Sequence, residues 1–187
     1  ILIIGSNNVE CIIGYLAFMK SDNVAILLDK SFNINYANKI IKKYKPNYIF
    51  SPKNYFQRSL GGYEIILGKD YNLIKTSYKK QKKINKKNLL LLSTSGTTQN
   101  PKFVRLSKLN LTNNTDAIIR YLNINSSHTT ITTMPMGYSY GLSIINTHLS
   151  AGSKIIVNNK TAFDKCFWDK GYKFKVTSFG GVPQFYE

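Results

Sequence analysis

The chain has 187 residues, of which 43% are hydrophobic and 19% charged. That composition supplies a packed core for one domain or large subdomain, and it excludes an intrinsically disordered chain. The formal net charge is +17, which is compatible with a nucleic-acid partner. The densest basic run, residues 79–87, carries no aromatic side chain on which a base could stack. We therefore predict a solvated connector there and regard nucleic acid as an unlikely partner.

The start of the chain indicates neither a leader peptide nor a membrane anchor. The first residue is Ile1, and polar side chains at Ser6, Asn7 and Glu10 interrupt the apolar opening. A signal peptide would begin with a basic segment, and a membrane helix needs about 20 apolar residues in succession. We expect the interior of a domain here, and no membrane span.

The cysteines and histidines do not form a metal-binding pattern. Cys11 and Cys166 are far apart, and His128 and His148 do not complete a set of ligands with them. A structural zinc site needs about four such ligands. We predict reduced thiols in a cytoplasmic protein, and no metal site built from protein ligands alone.

The first third of the chain alternates between short apolar runs and amphipathic stretches. The apolar runs predict strands at residues 1–6, 23–29 and 47–52, and helical spacing predicts helices over 8–22 and 33–46. A β-α-β-α-β order implies a parallel sheet covered by helices.

Strand and helix patterns continue to the end of the chain. Further strands are predicted within residues 61–68, 71–78, 89–94, 102–107, 128–136, 153–159 and 175–183. Ser107 can cap a helix over residues 108–122, and another helix is predicted near 142–150. The prediction is one α/β domain spanning residues 1–187.

The stretch "LLLLSTSGTTQNPKFV", residues 89–104, is the main functional signal. An apolar strand runs into hydroxyl side chains, a glycine and then Lys102. Hydroxyls and backbone N–H groups can surround a phosphate where glycine permits unusual dihedral angles. The Walker loop differs, because it has two glycines and leads into a helix. An ordinary Ser/Thr-rich surface turn is the alternative.

The segment "STSGTTQNPKFVRLS" resembles the phosphate-loop signature of the adenylate-forming, or AMP-binding, superfamily. This superfamily contains acyl- and aryl-CoA ligases, adenylation domains and luciferases. The positions that match the signature are Ser95, Gly96, Thr97, Thr98, Pro101 and Lys102. Gln99 and Phe103 depart from it, because family members usually or often have glycine at these positions.

Three other segments are similar to family blocks in the same order. They are residues 5–29, residues 133–143 and residues 176–187. In the second block Pro135 and Gly141 match, but Tyr138 stands where the family has histidine. The resemblance therefore spans the whole chain and implies part of the large N-terminal domain of such an enzyme, with mostly parallel sheets and without the C-terminal subdomain.

The resemblance implies activation of a carboxylic acid by ATP and Mg²⁺ as an acyl-adenylate. Transfer to a thiol of CoA or of phosphopantetheine on an acyl-carrier protein would follow. The residues implied to hold the ATP phosphates are Thr94, Ser95, Gly96, Thr97, Thr98 and Lys102, with Thr98 also a Mg²⁺ ligand. The implied substrate pocket contains Tyr138, Gly141, Gly180 and Gly181.

The family's ribose-binding aspartate and catalytic lysine lie beyond the matched segments, so no catalytic residue is assigned in this chain. We expect the chain by itself not to catalyse adenylation. One alternative is a non-catalytic nucleotide-binding remnant, which Gln99 and Tyr138 favour. A less favoured alternative is a basic nucleic-acid-binding module, supported only by the charge.

Overall fold

The computed structural model describes residues 1–21, 23–56, 64–78, 84–85, 87–93 and 102–185. The chain divides into two compact units, Ile1–Lys108 and Leu109–Glu187. Most of the lysine-rich run lies outside the described residues. Of its lysines only Lys87 is described, and it is exposed.

The first unit contains a seven-stranded sheet and two helices. Its strands are β1 (Leu2–Gly5), β2 (Ala25–Asp29), β3 (Tyr48–Pro52), β4 (Glu64–Leu67), β5 (Tyr71–Lys75), β6 (Leu90–Ser93) and β7 (Phe103–Leu106). Its helices are α1 (Val9–Lys20) and α2 (Ile34–Tyr44). The strand order is β4-β5-β3-β1-β2-β6-β7, which places the sequence-predicted β-α-β-α-β unit at the centre of the sheet.

The starts of both helices and the end of α2 follow from local sequence. The side chain of Asn8 accepts hydrogen bonds from two N–H groups in the first turn of α1, and Asn33 does the same for one in α2. Such caps satisfy donors that have no partner within the helix. α2 ends at Tyr44, and Lys45 adopts a left-handed conformation at φ 49°. Pro46 then prevents the helix from continuing.

The central strands are buried on both faces. β1, β2 and β6 are buried along their whole length, as expected of parallel strands covered by helices. On one face, Ile40 and Ile41 of α2 join the core cluster formed with β1 and β2. On the other face, the ring of Phe50 in β3 packs edge-on against the ring of Phe18 in α1, with centroids 5.6 Å apart. Helices therefore cover both faces of the sheet.

The outer strand pairs are antiparallel, which the β-α-β-α-β pattern alone does not predict. β3 pairs with β5, β4 with β5, and β6 with β7 in antiparallel register. A parallel neighbour requires a crossover connection, whereas the turn between β4 and β5 contains only residues 68–70. The predicted mostly parallel α/β class is nevertheless confirmed, because β3, β1, β2 and β6 are joined by parallel pairs.

A carboxylate ties α1 to the β4–β5 turn. The Oε1 and Oε2 atoms of Glu10 accept hydrogen bonds from the backbone N–H groups of Lys69, Asp70 and Tyr71, each at 2.8 Å. These N–H groups lower the pKa of Glu10, because they stabilise its charged form. The Tyr71 hydroxyl also donates a buried hydrogen bond of 2.9 Å to the Ile4 carbonyl.

The second unit has a small parallel sheet and helices. Its strands are β8 (Thr129–Ile131), β9 (Lys154–Ile156) and β10 (Ser178–Phe179), in the order β10-β8-β9. Its helices are α4 (Ser139–Ser150), α5 (Lys165–Lys173) and most of α3 (Lys108–Leu122), and a single 3-10 turn covers Pro183–Phe185. Ile131, Ala162 and Phe167 form a buried cluster in this unit.

Sequence patterns predicted α3 and α4 but not α5. The α5 segment has only nine residues, contains Gly171 and has one buried residue, Phe167, so it offers a shorter helical signal than α3 or α4. Within the described part of the chain, no helix is both long and apolar enough to cross a membrane.

Candidate functional site

The predicted phosphate loop is anchored by two paired strands. β6 and β7 form an antiparallel ladder that ends with Ser93 opposite Phe103. β6 is fully buried and also pairs in parallel with β2. The residues that enter and leave the loop are therefore fixed by a rigid scaffold, which is how binding loops are usually positioned.

Polar side chains lie where the central parallel strands end. Ser6 follows β1, Asp29 ends β2 and Ser93 ends β6, and all three are buried. Asp29 Oδ2 and Ser93 Oγ have no hydrogen-bond partner among the described residues. Ligand sites of open parallel sheets form at the carboxyl ends of strands. This edge of the sheet thus has the location and the unused polar capacity of a binding site.

The loop itself lies outside the described residues. This applies to the predicted positions Thr94, Ser95, Gly96, Thr97 and Thr98, and to Gln99. Lys102 is described, is exposed and directly precedes β7. The phosphate-binding roles of these residues remain predictions.

The other predicted site residues lie in the second unit, around the start of α4. Tyr138 is the N-cap residue of α4, is half-buried and makes no capping hydrogen bond through its side chain. A Cβ atom at Gly141 would come within 3.0 Å of backbone atoms of Met134 and Pro135. Close packing of the backbone therefore requires glycine at Gly141, whether or not it contacts a substrate.

Gly180 and Gly181 follow β10 and contact the same region. The Thr133 hydroxyl donates a short hydrogen bond to the Gly180 carbonyl, and the Tyr140 hydroxyl donates one of 3.4 Å to the Gly181 carbonyl. A Cβ atom at Gly180 would lie 2.5 Å from Ile144 Cδ1. The structure thus brings both glycines against α4 and its preceding loop.

Gly180 is on the wall of a cavity of about 780 Å³. The cavity lies between the C-terminal part of α3, one face of α4, and strands β8 and β10. Its volume is within the range of about 300–1,000 Å³ typical of small-molecule sites. Tyr138, Gly141 and Gly181 are not among the described residues that line it.

Several polar cavity residues were missed by sequence reasoning. Thr130, Tyr140, Thr147 and His148 line the cavity together with His128. In α4, Thr147 and His148 follow Tyr140 by seven and eight residues, so these three side chains lie on one face of the helix. That spacing was the available signal. His148 is buried, with 7% of its surface exposed.

Hydrogen-bond partners assign the role of the Nδ1 atom in each of the two histidines. His128 Nδ1 accepts a hydrogen bond from the Asn125 backbone N–H at 3.0 Å. His148 Nδ1 lies 2.9 Å from the Ile144 carbonyl, which can only accept, so Nδ1 carries the proton. Burial lowers the pKa of His148, and the positive charge that His128 can carry lowers it further, while the hydrogen bond to Ile144 opposes this shift.

Phe167 and Trp168 of α5 differ in burial. Phe167 is 1% exposed and packs in the second unit's core. Trp168 is 46% exposed, so it is not a core residue, although its Nε1 donates a hydrogen bond of 2.8 Å to the Ala162 carbonyl. Both residues line a second cavity of about 610 Å³ between α5 and β10.

Comparison with known proteins identifies the family. The family model for the AMP-binding enzyme matches residues 1–187, so the chain belongs to the AMP-binding enzyme family. The resemblance stated from the phosphate-loop motif is therefore confirmed. No curated protein sequence matches the chain significantly.

Solved structures of CoA ligases share the fold. MatB from Rhodopseudomonas palustris is 19% identical, with a TM-score of 0.70 over 99% of this chain and 39% of that one. o-Succinylbenzoate CoA synthetase (MenE) from Bacillus subtilis, solved with the acyl-adenylate OSB-AMP, is 15% identical, with a TM-score of 0.74 over 99% of this chain and 49% of that one. The chain thus spans less than half the length of either structure, and such identities establish the fold alone.

Proposed function

We propose that the protein activates a carboxylic acid with ATP as an acyl-adenylate and then transfers the acyl group to a thiol. The observation that carries this proposal is the family match over residues 1–187 together with the phosphate-loop signature. CoA and the pantetheine of an acyl-carrier protein remain equivalent candidates for the acceptor. The free thiols of Cys11 and Cys166 are compatible with a cytoplasmic location.

The residues around the loop suit a magnesium-bound triphosphate. The sequence of the loop provides hydroxyl groups and glycine, Lys102 provides a positive charge, and the buried Ser93 Oγ has no partner among the described residues. We assign Ser95, Thr97 and Lys102 to the phosphates and the Thr98 hydroxyl to Mg²⁺. When bound, Mg²⁺ would neutralise phosphate charge, which lowers the repulsion between the triphosphate and an approaching carboxylate.

Lys102→Ala tests the nucleotide part of the proposal. A hydrogen bond to a charged group contributes about 1.5–3 kcal/mol, so we expect Mg²⁺–ATP to bind the full-length variant about 10- to 100-fold more weakly in calorimetry. Lys87→Ala is the matched control, because Lys87 is exposed and precedes β6, at the opposite end from the loop. Equal ATP binding by both variants and the natural protein would contradict the assignment of Lys102.

Pyrophosphate exchange separates an enzyme from a non-catalytic remnant. Gln99 and Tyr138 depart from the family motifs, and these departures are the observations that favour the remnant. Acid-dependent exchange between pyrophosphate and ATP is expected for the enzyme. ATP binding without exchange, for every acid tested, would support the remnant. Tight DNA binding that weakens steeply with salt would instead support the basic module.

A further inference from the structure

Among the described residues, the polar side chains that line the cavity between α3, α4 and the small sheet carry hydroxyl or imidazole groups. Among the described residues that line it there is no Lys, Arg, Asp or Glu, although the chain carries 26 basic residues. Ile118, Leu122 and Phe179 supply apolar walls. Burying a charged ligand group without a partner is costly, so the cavity suits an uncharged and largely apolar ligand.

The Thr130 hydroxyl on the cavity wall has no partner in the part of the chain that the structure describes. Thr130 is 1% exposed, and its Oγ1 has no hydrogen-bond partner among the described residues. Thr130 pairs with Ser178 across β8 and β10, so the two side chains share a face of the sheet, and Ser178 also lines the cavity. Leaving a buried hydroxyl without a partner is costly, and a ligand with a polar atom at this position would remove that cost.

His148 offers a complementary acceptor. Because its Nδ1 donates to the Ile144 carbonyl, the nitrogen that remains for a ligand is Nε2. In the neutral ring Nε2 has a lone pair and accepts a hydrogen bond. The lowered pKa of His148 favours this neutral form and disfavours pairing with a second carboxylate of a dicarboxylic acid. A hydroxyl group, which both donates and accepts, matches Thr130 and His148 together.

The position of His148 along α4 indicates how far the cavity's polar group lies from the start of the helix. Gly180, which the family resemblance assigns to the substrate pocket, lines the cavity together with Tyr140 in the first turn of α4. His148 is eight residues further along the helix, which corresponds to about 12 Å at a rise of about 1.5 Å per residue. His148 therefore lies away from the end of the cavity at which the reacting carboxylate would enter.

We propose that this cavity holds the acyl group of the acid and selects an uncharged, largely apolar acyl group with a hydroxyl at the end remote from the carboxylate, bound by Thr130 and His148. This inference rests on the proposed acid-activating function and specifies its substrate class. It distinguishes hydroxy acids from unsubstituted acids of equal length and from dicarboxylic acids.

Two matched series of acids test the assignment. The aliphatic series is decanoate, 10-hydroxydecanoate and decanedioate, and the aromatic series is cinnamate, 4-hydroxycinnamate and 4-carboxycinnamate. Binding to the full-length protein is measured by calorimetry, with and without a non-hydrolysable ATP analogue. In at least one series we expect the hydroxy acid to bind about 10- to 100-fold more tightly than its parent, because a site built for a hydroxyl discriminates against a ligand that lacks it. The dicarboxylic acid should bind most weakly.

Thr130→Val identifies the group responsible. Valine has nearly the same shape but no hydroxyl, so the preference for the hydroxy acid should fall about tenfold. His148→Phe should reduce the same preference by removing the acceptor. Thr129→Val is the matched control, because Thr129 is the neighbouring residue of β8, is buried and is not among the described cavity residues. It should leave the preference unchanged.

The outcomes separate this inference from the proposed function. Preference for the parent acid or the dicarboxylic acid, an unaltered preference in Thr130→Val, or binding of none of the six acids would overturn the cavity assignment. Any of these results is compatible with Mg²⁺–ATP binding that depends on Lys102, which leaves acid activation standing. Selective binding of a hydroxy acid without any ATP binding would retain the cavity and reject the ATP-dependent function.

Discussion

Gly14 of α1 is a position at which two physical effects of opposite sign compete. A Cβ atom there would lie within 3.0 Å of three ring carbons of Phe50, whereas two carbons prefer a separation of about 3.5–4.0 Å. Replacing glycine with alanine inside a helix normally stabilises it by about 1 kcal/mol. Overpacking a core commonly costs about 1–3 kcal/mol. The sign of the change depends on whether the Phe50 ring can move.

The neighbours of Phe50 restrict that movement. Its ring packs edge-on against Phe18, with centroids 5.6 Å apart, and contacts the tilted ring of Tyr71, with centroids 4.7 Å apart. The hydroxyl of Tyr71 is itself held by hydrogen bonds to Ser6 and Ile4. We therefore take the upper end of the overpacking range. Gly14→Ala should lower the free energy of unfolding by about 2 kcal/mol after the gain in helix propensity is subtracted.

Urea unfolding followed by far-ultraviolet circular dichroism measures this change, and a double-mutant cycle with Phe50→Leu identifies its cause. Leucine removes the ring carbons that the new methyl group would strike. In that background Gly14→Ala should become neutral or stabilising by up to about 1 kcal/mol. A Gly14→Ala variant as stable as the natural protein, or equally destabilised in both backgrounds, would refute the role assigned to the Phe50 ring.

Two further predictions concern local contacts. The pKa of Glu10 is lowered in the folded protein, so its contribution to stability is present above its unfolded pKa and is lost as the pH falls through its folded pKa. Urea midpoints should accordingly fall more steeply towards acid pH for the natural protein than for Glu10→Gln, and parallel pH profiles would contradict this. Gly141→Ala should destabilise by about 1–3 kcal/mol, because the new methyl group would meet backbone rather than a movable side chain. A Cβ atom at Gly171 of α5 would have no atom within 4 Å, so Gly171→Ala should instead stabilise the protein by up to about 1 kcal/mol in the same urea assay. Stability changes of the same sign for Gly141→Ala and Gly171→Ala would contradict this explanation.

The sequence by itself determined the features that depend on neighbouring residues. The apolar runs of β1 and β2 and the helical spacing of α1 and α2 are local signals, and the structure contains each of these elements. The phosphate-loop motif was equally readable, because its hydroxyls, glycine and lysine are contiguous in the chain. This contiguity made the family recognisable.

Tertiary structure decided what depends on residues distant in the chain. The antiparallel edges of the large sheet and the cavity beside α4 have no contiguous signature. Thr130 and Ser178 are 48 residues apart, and they share a face only because β8 and β10 pair. Burial likewise leaves the Thr130 hydroxyl without a partner among the described residues, and the Ile144 carbonyl determines that Nδ1 of His148 carries the proton. Local patterns specify elements, whereas packing between elements decides which side chains surround a ligand.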